Sequence, residues 1–127
     1  MDNSKKVEWI LRIGMFGTFL GHGIFALQLK PRFTEMLTAF IGVSGSLANN
    51  LMLLIGTIDI IVAVLALFYP MRIILIYGSI WGFLTALARP IASDPIWDFV
   101  ERWSNWAAPL ALLYLKGLPK KLKDWFN

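Results

Sequence analysis

The chain has 127 residues, 57% of them hydrophobic and 16% charged, with a mean hydropathy of +0.64; that is one domain's length and too apolar for an ordinary soluble domain. The formal net charge of +4 comes largely from lysines at the two ends and forms no continuous basic face, which argues against nucleic acid as a partner. The chain has no cysteine, which excludes a disulfide relay, a thiolate nucleophile and any cysteine-ligated iron–sulfur or zinc site within it.

A short polar stretch, Met1 to Lys6, leads into an apolar helix from Val7 to Leu27, interrupted by Arg12 and His22. No small-x-small cleavage site follows, so this segment is expected to be retained rather than removed as a signal peptide. Gly14, Gly17, Gly21 and Gly23 crowd it, and Gly17 and Gly21 have the small-xxx-small spacing that lets helices approach closely. The first span therefore reads as a packing helix, with Gly14, Gly17 and Gly21 as its contact face.

Between Lys30 and Asn50 the apolar residues Phe33, Met36, Leu37, Phe40 and Ile41 recur at helical spacing, while Arg32, Glu35 and Thr38 lie away from them. This pattern predicts a short amphipathic helix lying in the membrane interface. Gly42, Ser44, Gly45 and Ser46 then read as a flexible joint. The second span runs from Leu51 to Tyr69, with Asp59 near its middle, and ends at Pro70. After a tight turn marked by Arg72, the third span covers Met71 to Ala88 and is closed by Arg89 and Pro90.

Asp94 and Pro95 read as the N-cap and first residue of a fourth helix, extending to Leu118. Asp98, Glu101, Arg102 and Asn105 fall on one polar stripe of that helix, at i, i+3, i+4 and i+7, with Asp98 and Arg102 in the favourable acid-before-base order. Ile96, Val100, Trp103 and Ala107 form an apolar stripe, helped by Trp97, Phe99 and Trp106. Pro109 lacks an amide hydrogen and leaves the carbonyl of Asn105 without its usual partner. Lys116, Lys120, Lys121 and Lys123 form a basic tail, with Trp125 and Phe126 as interfacial anchors.

The expected fold is all-α: one integral membrane four-helix bundle with spans at 7–27, 51–69, 71–88 and 96–118, and an interfacial amphipathic helix between the first two. Basic residues outside the spans (Lys5, Lys6, Arg72 and the lysine tail) outweigh those of the other two connections (Lys30, Arg32, Arg89, Arg102), which acidic residues offset. Both termini are therefore expected to face the cytoplasm, in a bacterial cytoplasmic membrane. There is no internal repeat and no low-complexity segment.

A first helix reading R-I-G-M-F-G-T-F-L-G-H-G-I-F-A-L, an acidic residue (Asp59) inside the second and an arginine (Arg89) ending the third resemble the DoxX family of small four-helix membrane proteins, over roughly Trp9 to Leu115. The family's acidic residue is often glutamate, where this chain has Asp59. Some members are the small membrane subunit of a thiosulfate:quinone oxidoreductase. The resemblance implies a four-helix bundle and quinone-linked redox work, without assigning a reaction.

Asp59 is the sharpest single residue, because a lone carboxylate at mid-membrane is expensive and must be neutralised or paired, with Arg12, His22 and Arg89 as available partners. It reads either as a proton-relay or quinone-contacting group, or as a structural bond that fixes helix packing, and the structural role carries more weight. His22 lies between Gly21 and Gly23, whose lack of a Cβ leaves room for a planar group; this suits an axial ligand to haem or chlorophyll, or a hydrogen bond to a quinone carbonyl. A histidine bonded to Asp59 or to a backbone carbonyl is the heavier alternative. His22, Asp59 and Arg89 are thus the candidate cofactor-binding residues; one histidine cannot build a metal site of usual coordination, so none is assigned. The polar cluster of Asp98, Glu101, Arg102 and Asn105 forms either a polar cavity with Arg89 or a solvated face. The six tryptophans read mostly as a membrane-border belt. No phosphate-binding loop, dinucleotide fingerprint or nucleophile elbow is present.

The leading functional expectation is a small accessory subunit of a larger membrane complex, redox or electron-transfer related, with membrane lipids and other integral membrane subunits as partners and no catalytic site of its own. The alternatives are a stand-alone quinone- or lipid-binding membrane oxidoreductase, and a haem- or pigment-binding protein through His22.

Overall fold

The computed structural model describes residues 1–127 and contains helices and no strand. Helices α1 (Asn3–Leu27), α2 (Pro31–Ile41), α3 (Gly45–Phe68), α4 (Arg72–Ile91), α5 (Ile96–Val100) and α6 (Ser104–Lys116) follow in order, and a 3-10 turn at Leu122–Phe126 closes the chain. Three of them, α1, α3 and α4, are long and apolar enough to cross a membrane. At about 1.5 Å per residue, even the shortest of these reaches roughly the thickness of a hydrocarbon core. Their outward faces expose Ile10, Ile13, Leu54, Ile61 and Ile80, which lipid covers at no cost and water does not. The chain is an integral membrane protein.

Local chemistry extends the helices beyond their apolar runs. The Asp2 carboxylate accepts from the Lys5 amide at 2.8 Å, so α1 starts at Asn3 instead of Val7. Glu8 then pairs with both Lys5 and Arg12, one turn away on either side. Pro31 opens α2, and Gly42, left-handed at φ 79°, terminates it. The joint before α3 shrinks to Gly42–Ser44, because Gly45 and Ser46 already belong to α3. In α4 the helix does not stop at Ala88 as its sequence predicts. Arg89 and Pro90 form its last turn, and the Ala92 amide then bonds back to the Ala88 and Arg89 carbonyls. A proline there sacrifices one backbone bond near an end where bonds are already being lost.

The continuous helix expected over 96–118 is divided. α5 has five residues and α6 thirteen, joined by a turn at Glu101–Trp103. Across it the Arg102 and Trp103 amides bond three residues back, to Phe99 and Val100, a 3-10 tightening of the helical path. Asp94 is not the cap of this segment. Pro95 holds that position without a side-chain bond, and the Asp94 carboxylate accepts from Arg32 instead.

Packing between helices in lipid depends on close contact rather than on expulsion of water. α1 packs along α3, α4 packs along α6, and α1 meets α6 to join the two pairs. The α1–α3 crossing is made by Gly23 and Gly56: a Cβ on Gly23 would lie 3.1 Å from the Gly56 carbonyl oxygen, and one on Gly56 3.0 Å from that of Gly23. Gly14, Gly17 and Gly21, the expected contact face, meet nothing within 4 Å inside the chain. The α4–α6 crossing is tighter still, since a Cβ on Gly82 would lie 2.3 Å from the Asn105 carbonyl oxygen. That carbonyl is the one Pro109 leaves without an amide partner, and it abuts the α4 backbone.

Met15 and Phe19 of α1, Val62, Ala63 and Ala66 of α3, Leu75 of α4, and Leu112 and Leu113 of α6 fill the main core. At the end of the bundle that holds the chain termini, cationic side chains close the helix ends. Arg12 donates to the Leu67 carbonyl at the end of α3, and Arg72 donates to the Lys116 carbonyl at the end of α6 and to that of Gly117. Lys116 in turn reaches the Pro70 carbonyl at 2.9 Å. Each takes up a carbonyl that a terminal helical turn cannot satisfy itself.

Candidate functional site

α3 and α4 touch each other little, and α2 lies against both. The space between them, completed by α1, is a cavity of about 370 Å³. Twelve of its sixteen lining residues are hydrophobic, and the remaining side chains, His22, Asp59, Thr85 and Arg89, come from three different helices. Its size lies at the low end for small-molecule sites, and an apolar wall with a few polar groups is their usual make-up. Phe40 and Ile41 line the cavity and are also exposed on the outer face, so it opens toward the surroundings beside the end of α2.

Asp59 sits in the middle of α3, 2% exposed, and its Oδ1 has no hydrogen-bond partner. None of the basic partners offered by the sequence reaches it. Arg12 is occupied at the other end of the bundle by the Leu67 carbonyl and Glu8, and neither His22 nor Arg89 forms a bond or ion pair with it. Its neighbour is Trp81 of α4, whose buried Nε1 also has no completed bond. Trp81 lies near the centre of α4 and stacks on Tyr77, so it does not belong to a border belt.

Arg89 lines the cavity near the end of α4. It is 9% exposed, its Nε is unpartnered, and no carboxylate stands within ion-pair distance. Its guanidinium lies 5.5 Å from the centre of the Phe33 ring. A cation over an aromatic face gains about 2 kcal/mol or more when desolvated, less near the contact's limit of about 6 Å, whereas removing a charge from water costs several kcal/mol even after relaxation. The ring therefore does not offset the burial of this arginine. His22 stands near the same ring, with centroids 6.1 Å apart and planes at 80°. It makes no hydrogen bond with the chain, neither to Asp59 nor to a backbone carbonyl. Of its two glycine neighbours, Gly23 is filled against Ile60 and Gly56 while Gly21 meets nothing within 4 Å, so the room expected beside His22 is taken on one flank and open on the other.

The structure thus brings His22, Asp59 and Arg89 around one cavity and leaves the other predicted polar cluster outside it. The Arg102 guanidinium bonds the Asp98 backbone carbonyl and the Glu101 carboxylate, each at 2.8 Å. The tight turn ends the helical register that would have aligned Asp98, Glu101, Arg102 and Asn105, and these contacts brace the turn itself. Arg32 does affect the cavity, indirectly. It bonds Glu35 at 3.1 Å, the Ala92 carbonyl at 2.9 Å and the Asp94 carboxylate, tying the start of α2 to the α4–α5 turn. Its bonds to Glu35 and then Asp94 raise its pKa further above the usual arginine value.

Sequence patterning does not mark Trp81 or Phe33 as cavity residues. A signal for Trp81 was there: Trp81, Thr85, Ala88 and Arg89 follow i, i+4, i+7 and i+8, one face of α4. No three His, Asp or Glu side chains come together in an arrangement that could hold a metal ion. Compared with family models, with curated proteins and with solved structures, the chain matches none.

Proposed function

We propose that this protein binds one small amphipathic molecule taken from the bilayer in the α1–α4 cavity. The observation that supports this reading is the presence there of buried polar groups, Asp59 beside Trp81 on one side and Arg89 without a hydrogen-bond or ion-pair partner on another, in a wall of mostly hydrophobic residues. Buried polar groups are ordinarily satisfied, and a ligand is one way to satisfy several at once. In this reading α5 and α6 together make the fourth crossing of a four-helix bundle. α2 lies in the interface as an amphipathic cover over the cavity, and both termini face the cytoplasm of a bacterial cell. The DoxX-like pattern implies quinone-linked redox work, and the mostly apolar wall suits a lipid as well as a quinone.

The experiment is to purify the chain in native lipid discs and quantify every small molecule that accompanies it by mass spectrometry. Ala88 lines the cavity, and Ala88→Phe places a ring inside it. One amphiphile should be enriched near one per chain with the native protein and lost with Ala88→Phe. Equal recovery from both proteins would refute the reading.

A second reading, a small accessory subunit of a larger membrane complex, is favoured by Gly14, Gly17 and Gly21. They present an open small-residue stripe to the outside of the bundle. Gly17→Phe should then abolish recovery with the complex while leaving the cavity ligand in place. Recovery unchanged by Gly17→Phe would exclude that stripe as the docking face.

A further inference from the structure

The two ends of the cavity carry different polar groups. Asp59 and Trp81 stand at one end; Arg89, His22 and Phe33 stand at the other, close to α2. Trp81 and Arg89 are eight residues apart on α4, roughly 12 Å along the helix axis. Around the Arg89 end the nearby carboxylates are engaged elsewhere: Asp94 and Glu35 pair with Arg32, and Glu101 pairs with Arg102. Lys30 and Arg102 add positive charge on the His22 side, and Asp98 is the remaining acid near Arg89 without forming an ion pair with it. Among the residues that line the cavity at this end there is a buried arginine and no carboxylate.

We infer that the occupant of the cavity is an amphiphile with an anionic head, a carboxylate or a phosphate, held by Arg89. His22 stands beside that head, and the apolar chain runs along Leu37, Phe40 and Ile41 toward the lipid. The inference deepens the proposed function and rests on it. A guanidinium presents its N–H groups as a planar fork that matches two oxygens of a carboxylate or phosphate. A neutral carbonyl, such as that of a quinone, can accept one of these bonds but leaves the buried charge uncompensated. The exposed flanks of Phe40 and Ile41 give an alkyl chain a way out into the bilayer. A free fatty acid and an acidic phospholipid both carry this chemistry.

The test uses the full chain in phosphatidylcholine nanodiscs, with bound molecules counted by native mass spectrometry. The probes are oleate, oleyl alcohol, decylubiquinone and phosphatidic acid, each added at the same mole fraction. One charge-assisted hydrogen bond more than a neutral contact predicts that oleate or phosphatidic acid is retained about tenfold or more over oleyl alcohol. Oleate ahead of phosphatidic acid identifies a free fatty acid as the source of the head, and the reverse order identifies a phospholipid. Arg89→Gln should reduce the preferred anion to the level of the alcohol, and Arg89→Lys should keep part of the preference. The head-group series on the native chain decides the matter even if Arg89→Gln does not fold. Equal retention of oleate and oleyl alcohol, or a preference for decylubiquinone, overturns the anionic head and leaves the ligand site standing. No retention of any probe, with Ala88→Phe identical to the native chain, overturns both.

Discussion

Replacing Gly82 by alanine tests the tightest contact in the bundle. The added Cβ would lie 2.3 Å from the Asn105 carbonyl oxygen, 2.7 Å from its carbon and 3.1 Å from the Trp106 nitrogen. All three are backbone atoms, so no rotamer change relieves the clash. Ordinary contact begins near 3.4 Å, which obliges α6 to retreat from α4 by about 1 Å. That retreat loosens Leu112 and Leu113 from Leu75 and draws Trp106 away from Phe83. Overpacking of this kind costs roughly 1–3 kcal/mol, and weaker dispersion attraction along the loosened seam adds to it. Gly17→Ala is the matched control, because its Cβ meets nothing within 4 Å while alanine gains up to about 1 kcal/mol of helix propensity. Both variants would be unfolded by sodium dodecyl sulfate titration in mixed micelles, followed by circular dichroism. Gly82→Ala should unfold at a clearly lower detergent fraction than the native chain, and Gly17→Ala at the same or a higher one. Equal midpoints for the two variants would refute the close α4–α6 crossing.

Two further predictions concern the end of the bundle that holds the chain termini. Arg12→Leu keeps an apolar stem but removes the donors to the Leu67 carbonyl, and bonds from a charged donor are worth about 1.5–3 kcal/mol. Its midpoint in the same titration should therefore fall, with Arg12→Lys intermediate; an unchanged midpoint would show that the end of α3 is satisfied in another way. Asp124 accepts from the Lys120 and Lys121 amides, which hold its pKa below the ordinary carboxylate value of 3.8. A depressed folded pKa means that its contribution is present above the unfolded value and lost as pH falls through the folded one. Amide exchange in Leu122–Phe126 should thus accelerate, beyond the intrinsic pH trend, only below the ordinary carboxylate range. Asp124→Asn should exchange faster at neutral pH; identical exchange in the two proteins would refute the role of that carboxylate.

The class of this protein is written in local composition. Long apolar runs of about 20 residues favour helices where water is absent, because a helix satisfies its backbone amides within its own segment. Hence α1, α3 and α4 were legible from hydropathy, and so were the exceptional residues His22, Asp59 and Arg89, since a polar group in such a run is costly wherever it points. Boundaries were less legible, because they follow from single side-chain bonds: the Asp2 cap lengthens α1, and the turn braced by Arg102 separates α5 from α6.

Only the tertiary arrangement decided which polar groups meet. The same small-residue signal marks Gly17 and Gly23, yet Gly23 faces α3 and Gly17 faces outward, and that choice depends on how α1 is rotated in the bundle. Arg12 and Arg89 were equal candidates as partners for Asp59. Arg12 is bonded to the end of α3 and Arg89 stands across the cavity, so Asp59 pairs with neither. The cavity itself follows from α3 and α4 being held apart, a consequence of each packing on a different neighbour. Sequence determines the charge and polarity of each residue, because these are properties of one side chain. Distance between residues far apart in the chain is a property of the whole packing, and the chemistry of the cavity depends on that distance.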